Sequence, residues 1–226
     1  EHHSNIVPWQ LLAERVGAVI RVARITEGGV IDLKHMQSLL SSRTKVISFS
    51  VCSNVLGTTI DPRLVAAMAK PIGAIVVVDA AQAVTSGPIN VVEWDVDFVA
   101  FSGHKIFAPF GIGALYGKKS RLEVLAPYQG GGSMIDQVSF QKTTWALAPQ
   151  KFEAGTPNVG DALALGVALK WYGALPENER YTKAKTLADS VRAQLSVLGG
   201  FDLYGAAEGS ALVSFNMKGV HASDVG

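Results

Sequence analysis

Short apolar runs rich in β-branched residues alternate along this chain with stretches whose apolar positions recur every three or four residues. The first pattern reads as buried strands and the second as helices with one apolar face. Strands are expected over residues 46–51, 75–78 (running into Asp79), 97–101, 112–116 and 211–217. Helices are expected over 8–16, with Asn5 as a candidate cap, over 33–40 behind Asp32, and over 62–70 behind Asp61. The proline that opens the last of these suits a first helical turn. A further helical turn is expected over 80–84 after Asp79, a buried helix rich in Ala, Leu and Gly over 161–171, and a more charged amphipathic helix over 177–198. This alternation predicts an α/β fold with a mostly parallel sheet flanked by helices. Residues 130–158 carry no sustained period and are expected to form a long loop, either functional or covered by a partner surface.

The pattern changes character near Gly173–Pro176, which divides the chain into a large domain, 1–174, and the start of a smaller C-terminal α/β domain, 175–226. Both ends look cut. Glu1 has no initiator Met before it, and the segment from His221 to Gly226 stops where a helix would begin. The large domain is thus expected to lack its N-terminal part and the small one to be incomplete.

Composition narrows the class. Hydrophobic residues make up 48% and charged residues 17%, which suits a folded α/β protein and excludes a disordered or fibrous chain. A net charge of +1, with both signs dispersed, offers no stripe for nucleic acid. The apolar runs are strand-sized and too short to span a bilayer. The single cysteine, Cys52, rules out an intramolecular disulfide or multi-cysteine metal site; it is expected to be a small, buried structural thiol. A reducing, cytoplasmic setting fits.

Candidate chemistry gathers at strand ends, where open α/β sheets bind ligands. Asp79 closes the run Ile75-Val-Val-Val. A carboxylate there needs a partner, because burying it unpaired is costly. Either it caps the turn that follows or it pairs with the protonated nitrogen of a pyridine ring, holding that ring cationic as an electron sink. Lys105 follows the strand through Ser102-Gly103-His104. It is either a solvated charge or an amine nucleophile toward an aldehyde. In the second case Ser102 and His104 become donors to a phosphate, with Gly103 permitting close backbone approach. His2 or His3 offers a flat ring to stack or to exchange protons, and the Gln82 amide suits a ring oxygen of a cofactor. Together these groups fit pyridoxal phosphate held on Lys105.

Six segments carry a resemblance: Glu1-His-His-Ser-Asn-Ile-Val-Pro-Trp-Gln10, Ser53-Asn-Val-Leu-Gly57, Asp79-Ala-Ala-Gln-Ala-Val84, Phe101-Ser-Gly-His-Lys105, Gly130-Gly-Gly-Ser-Met-Ile135 and Phe152-Glu-Ala-Gly-Thr-Pro-Asn158. In these, taken in order over nearly the whole chain, the protein resembles the aminotransferase class V family, specifically the Suf-type cysteine desulfurases and selenocysteine lyases. The resemblance implies a fold-type I pyridoxal phosphate-dependent transferase whose large domain is a seven-stranded α/β unit. It implies that Lys105 holds the cofactor and shuttles the substrate α-proton, that Asp79 pairs with the pyridine nitrogen, and that His2 stacks on the ring. Gln82 would meet the ring hydroxyl oxygen, Ser102 and His104 the phosphate, and Asn54 the substrate carboxylate. Thr156 would reach the phosphate in the opposite subunit of a homodimer.

The implied reaction converts L-cysteine (or selenocysteine) to L-alanine. Sulfur would pass as a persulfide to a sulfur-acceptor protein for iron–sulfur cluster assembly. Two departures stand out. The turn Ala108-Pro-Phe-Gly111 replaces the family's usual Gly-Pro-Thr-Gly, and no residue here matches the family's nucleophilic cysteine or substrate-binding arginine. Another class V enzyme, such as a kynureninase-like hydrolase or an aminotransferase, would share the cofactor residues. A non-catalytic scaffold would be expected to have lost them.

Overall fold

The computed structural model describes residues 2–205 and 211–226. Its main sheet places β1 (Val46–Ser50), β2 (Ile75–Asp79) and β3 (Phe98–Ser102) side by side and parallel, with β4 (Gly113–Gly117) antiparallel at the edge. Among the described residues this sheet has four strands. The strands take their β-branched and aromatic residues inward: Ile47, Phe49, Val76, Val78 and Val99 are buried in one core. Helix α3 (Pro62–Ala69) bridges β1 to β2 and packs Val65 and Ala69 into that core. Asp61 starts it as expected, accepting from the Arg63 N–H at 2.9 Å.

Buried Asp97 fastens the middle of the sheet. One oxygen accepts from the Val76 N–H and the other from Arg121 Nε, each at 2.8 Å. Hydrogen bonds to a charged group contribute roughly 1.5–3 kcal/mol apiece, so this carboxylate fixes β2 against the start of β3. Arg121 comes from α5 (Lys119–Val124), a short helix with no apolar stripe that the sequence pattern missed. Between β2 and β3 the chain makes a 3-10 turn at Ala83–Thr85, not the α-helical turn expected over 80–84, and then a second unpredicted helix, α4 (Val91–Trp94).

Before the sheet lie α1 (Val7–Val16) and α2 (Leu33–Leu39). Asp32 caps α2 as expected, and the His35 N–H that it accepts holds its carboxyl below the usual range. Asn5 is not a cap: Ile6 occupies that position without a side-chain bond. The Asn5 carbonyl oxygen instead accepts from Trp9 Nε1 at 2.8 Å and from the Ser48 hydroxyl at 2.6 Å, which pins the start of α1 onto β1.

The aperiodic stretch 130–158 holds an antiparallel hairpin, β5 (Ile135–Val138) and β6 (Thr143–Trp145). The Ser139 N–H closes its turn onto the Lys142 carbonyl at 2.8 Å. Both strands are short and mostly polar, so neither has the apolar alternation that would reveal it. Helix α6 (Val159–Ala174) starts behind Asn158 and is not buried as expected, since Leu163 and Val167 are 69% and 68% exposed. A π-helical turn, Asn178–Thr182, leads into α7 (Lys183–Leu198). Helix α7 packs on a second hairpin, β7 (Phe201–Tyr204, unpredicted) with β8 (Ser214–Met217), shorter than the strand expected over 211–217. Arg192 ties the two together by donating to the Tyr204 and Leu212 carbonyls. The chain ends in α8 (Ala222–Val225), where a helix was expected to begin. Among the described residues no helix is long and apolar enough to cross a membrane.

Candidate active site

The parallel register brings three strand ends to one edge: Ser50 lies opposite Asp79, and Asp79 opposite Ala100. Past the carboxyl ends of a parallel sheet the connecting segments diverge and leave a crevice. Here it is a cavity of about 480 Å³, a size suited to a small ligand or cofactor. Asp79, Gln82, Ser102, His104, Lys105, Asn54 and His2 all line it. Seven of the eight residues singled out from the sequence thus meet in one place. Thr156 does not line this cavity; it is exposed in the segment before α6.

Asp79 is half-buried, and its two oxygens differ. Oδ1 accepts from the Ala81 N–H at 2.9 Å, the kind of local bond that the capping alternative called for, although Gln82 is the residue that precedes the 3-10 turn. Among the described residues Oδ2 has only the Ser50 hydroxyl, at a long 3.4 Å. An ionised carboxylate has about four lone-pair sites, so Oδ2 retains capacity for a cationic N–H in the cavity. Capping and ring pairing are therefore compatible in one side chain.

Lys105 and His104 sit on a 3-10 turn, Gly103–Ile106, that continues β3. Gly103 is required by packing: a Cβ there would lie 2.8 Å from Ile112 Cγ2 and 3.0 Å from the Ile112 carbonyl oxygen. The Gly103 N–H donates to that same carbonyl at 2.8 Å, and buried Ile106 anchors the far side of the turn. The turn is thereby held while both His104 and Lys105 remain exposed. Among the described residues Lys105 has no carboxylate partner, and Asp79 no cationic one. An unpaired amine and a carboxylate with spare capacity face the same space.

His2 is exposed just before a turn at His3–Asn5, and its Nδ1 accepts from the Ser4 N–H at 3.2 Å. That bond leaves Nε2 as the protonated nitrogen of the neutral ring. The cavity wall also contains Asn5, Trp9 and Ser50, which the sequence reading did not assign to it. Their signal is tertiary: Asn5 reaches Ser48 across 43 residues of chain, and no local spacing announces that. Cys52 is buried as expected, with its sulfur near the Ser86 hydroxyl at 3.6 Å, and its residue also contributes to the wall. The departing turn after Lys105 places Phe110 against His104, ring centroids 5.5 Å apart.

The seven residues supply an amine nucleophile, a carboxylate acceptor, two amides, two imidazoles and a hydroxyl around one crevice. They fit an aldehyde-bearing, phosphorylated pyridine: an amine for the aldehyde, an acid for the ring nitrogen, and a glycine-containing turn with Ser102 and His104 for the phosphate.

Known proteins share this arrangement of chain. The aminotransferase class-V family model matches residues 1–226. A cysteine desulfurase from Pectobacterium atrosepticum is 42% identical over 227 residues, covering 100% of this chain and 56% of that protein. The crystal structure of a cysteine desulfurase from Escherichia coli superposes with a TM-score of 0.95 at 37% identity, over 99% of this chain and 56% of that one. The apo structure of a cysteine desulfurase from Thermococcus onnurineus NA1 gives a TM-score of 0.94 at 32% identity, over 100% and 57%. The chain thus spans just over half the length of these relatives. With the family model matched from end to end and a relative 42% identical across the whole chain, this chain belongs to the aminotransferase class-V family.

Proposed function

We propose that the parent protein is a pyridoxal phosphate-dependent cysteine desulfurase that converts L-cysteine to L-alanine and passes the sulfur on as a persulfide. The observation that carries this reading is the placement of Lys105 and Asp79 beyond adjacent parallel strands, facing one cavity. The relatives named cysteine desulfurase supply the substrate. When bound, the cofactor supplies an electron sink for negative charge at the substrate α-carbon.

The protein's own residues supply the rest. Lys105 Nζ would hold the cofactor aldehyde and serve as carrier of the substrate α-proton. Asp79 Oδ2 would accept the pyridine N–H and keep that nitrogen protonated. The His2 ring would lie against the cofactor ring, and the Gln82 amide would meet the ring oxygen. Ser102 and His104 would donate to the phosphate, and Asn54 would orient the substrate carboxylate. Cys52 is buried and does not match the family's nucleophilic cysteine, so the persulfide is not assigned to it. A sulfur-acceptor protein would then deliver the sulfur to iron–sulfur cluster assembly, in the cytoplasm, where thiols stay reduced. In this reading residues 1–174 belong to the cofactor domain and 175–226 open the smaller one.

The test is direct. Full-length protein given L-cysteine and a thiol reductant is expected to release alanine and sulfide in equal amounts. Binding of the cofactor with no alanine from cysteine, but turnover of selenocysteine or kynurenine, would move the protein to another activity of the same family.

The active unit is proposed to be a homodimer in which Thr156 reaches the opposite site. Its exposure, away from its own cavity, is what such a role requires. Mixing Lys105→Ala and Thr156→Ala protomers would then give heterodimers with one doubly damaged site and one intact site, restoring part of the activity. If heterodimers form and the Lys105-bearing site keeps the Thr156→Ala defect, the threonine acts within its own subunit.

A further inference from the structure

His104 stands on an exposed turn, and among the described residues neither of its ring nitrogens makes a hydrogen bond. Its ring is instead stacked on Phe110, with centroids 5.5 Å apart and planes 27° apart. Phe110 is 90% exposed, so burial in the core does not explain a phenyl ring at this position. The loop between the two rings is short and closed: the Ala108 N–H donates to the Gly103 carbonyl at 3.0 Å, and Pro109 stiffens the approach to Phe110.

We propose that Phe110 is a positioning residue for His104, holding the imidazole so that its edge faces the phosphate end of the cavity. The inference rests on the cofactor reading given above. Stacking is suited to this task because it uses only a face of the ring. Both nitrogens lie in the ring plane and stay free to hydrogen-bond, whereas a hydrogen bond to the protein would occupy one of them. Without the stack, an exposed histidine samples several rotamers, and the ligand must order it on binding.

The experiment uses full-length protein stripped of cofactor and titrated with pyridoxal phosphate. Phe110→Ala is expected to weaken binding by roughly two- to tenfold, the range that an aromatic pair supplies. Phe110→Tyr is expected to restore it, and Phe110→Leu, apolar but without a ring face, is not. In parallel, the His104 ring-proton resonances, assigned by their loss in His104→Gln, should carry a ring-current shift that disappears in Phe110→Ala and survives in Phe110→Tyr. An unchanged affinity in Phe110→Ala overturns the proposal, as does a changed affinity with the His104 resonances unmoved. Wild-type protein that takes up no cofactor overturns the functional reading, and this proposal with it. That control tells the two failures apart. The exposure of Phe110 keeps its replacement from threatening the fold.

Discussion

Lys105→Ala in the full-length protein is expected to lower the rate of alanine formation from L-cysteine by at least about a thousandfold. The substitution removes both the covalent anchor and a positioned proton carrier, and the second alone contributes typically about 10²–10⁴. Some cofactor should still bind through its phosphate, because Ser102 ends β3 and the turn with Gly103 and His104 is held by Ile112 and Ile106 rather than by the lysine. Borohydride reduction of the wild-type protein, which makes the lysine linkage permanent, should place the label on Lys105 in a peptide map. Lys118 and Lys119 are the nearest rivals in sequence, but their amines pair with Asp95 and Glu123, outside the cavity. A label on either, or on any other lysine, would remove the basis of the functional reading.

Asp79→Asn is expected to slow turnover by about 10²–10³, the scale seen when a single preorganised electrostatic group is removed from an active site. The substitution is nearly isosteric and separates the two roles of the side chain. The amide oxygen can still accept from the Ala81 N–H, as Oδ1 does now, so the turn and the thermal stability should be preserved. What is lost is the negative charge that holds a pyridine nitrogen protonated. Near-normal rates with L-cysteine would show that Asp79 is only the cap of its turn. A large fall in melting temperature alongside the rate loss would show that the turn itself depends on the charge.

Much of this site was readable from residue types at strand ends. Asp79 ends a strongly apolar, β-branched run and Ser102 and Lys105 follow an apolar one, and a polar group that ends such a run must sit at the sheet edge where crevices open. The core strands and the capped helices α2 and α3 were readable for the same reason: period, cap and first-turn proline are all local signals. The elements that escaped are those without a local signal. The hairpin β5–β6 is short and polar, and α4 and α5 are helices of only four and six residues. Asn5 shows the limit most plainly. Its type and position suited a helix cap, yet its oxygen is used by Trp9 and by Ser48 on a strand far along the chain.

By itself the amino-acid sequence determined the fold class, the strands whose ends carry Asp79 and Lys105, and the family, because periodicity, turn chemistry and motif order are properties of neighbours along the chain. Only the tertiary structure decided that seven candidate residues share one cavity while Thr156 stands outside it, that Asp79 caps its turn with one oxygen and leaves the other available, and that Phe110 stacks on His104. The physical reason is that these facts depend on strand register and on packing between segments distant in sequence. Parallel register aligns Ser50, Asp79 and Ala100 at one edge, and residue spacing along the chain does not encode that alignment.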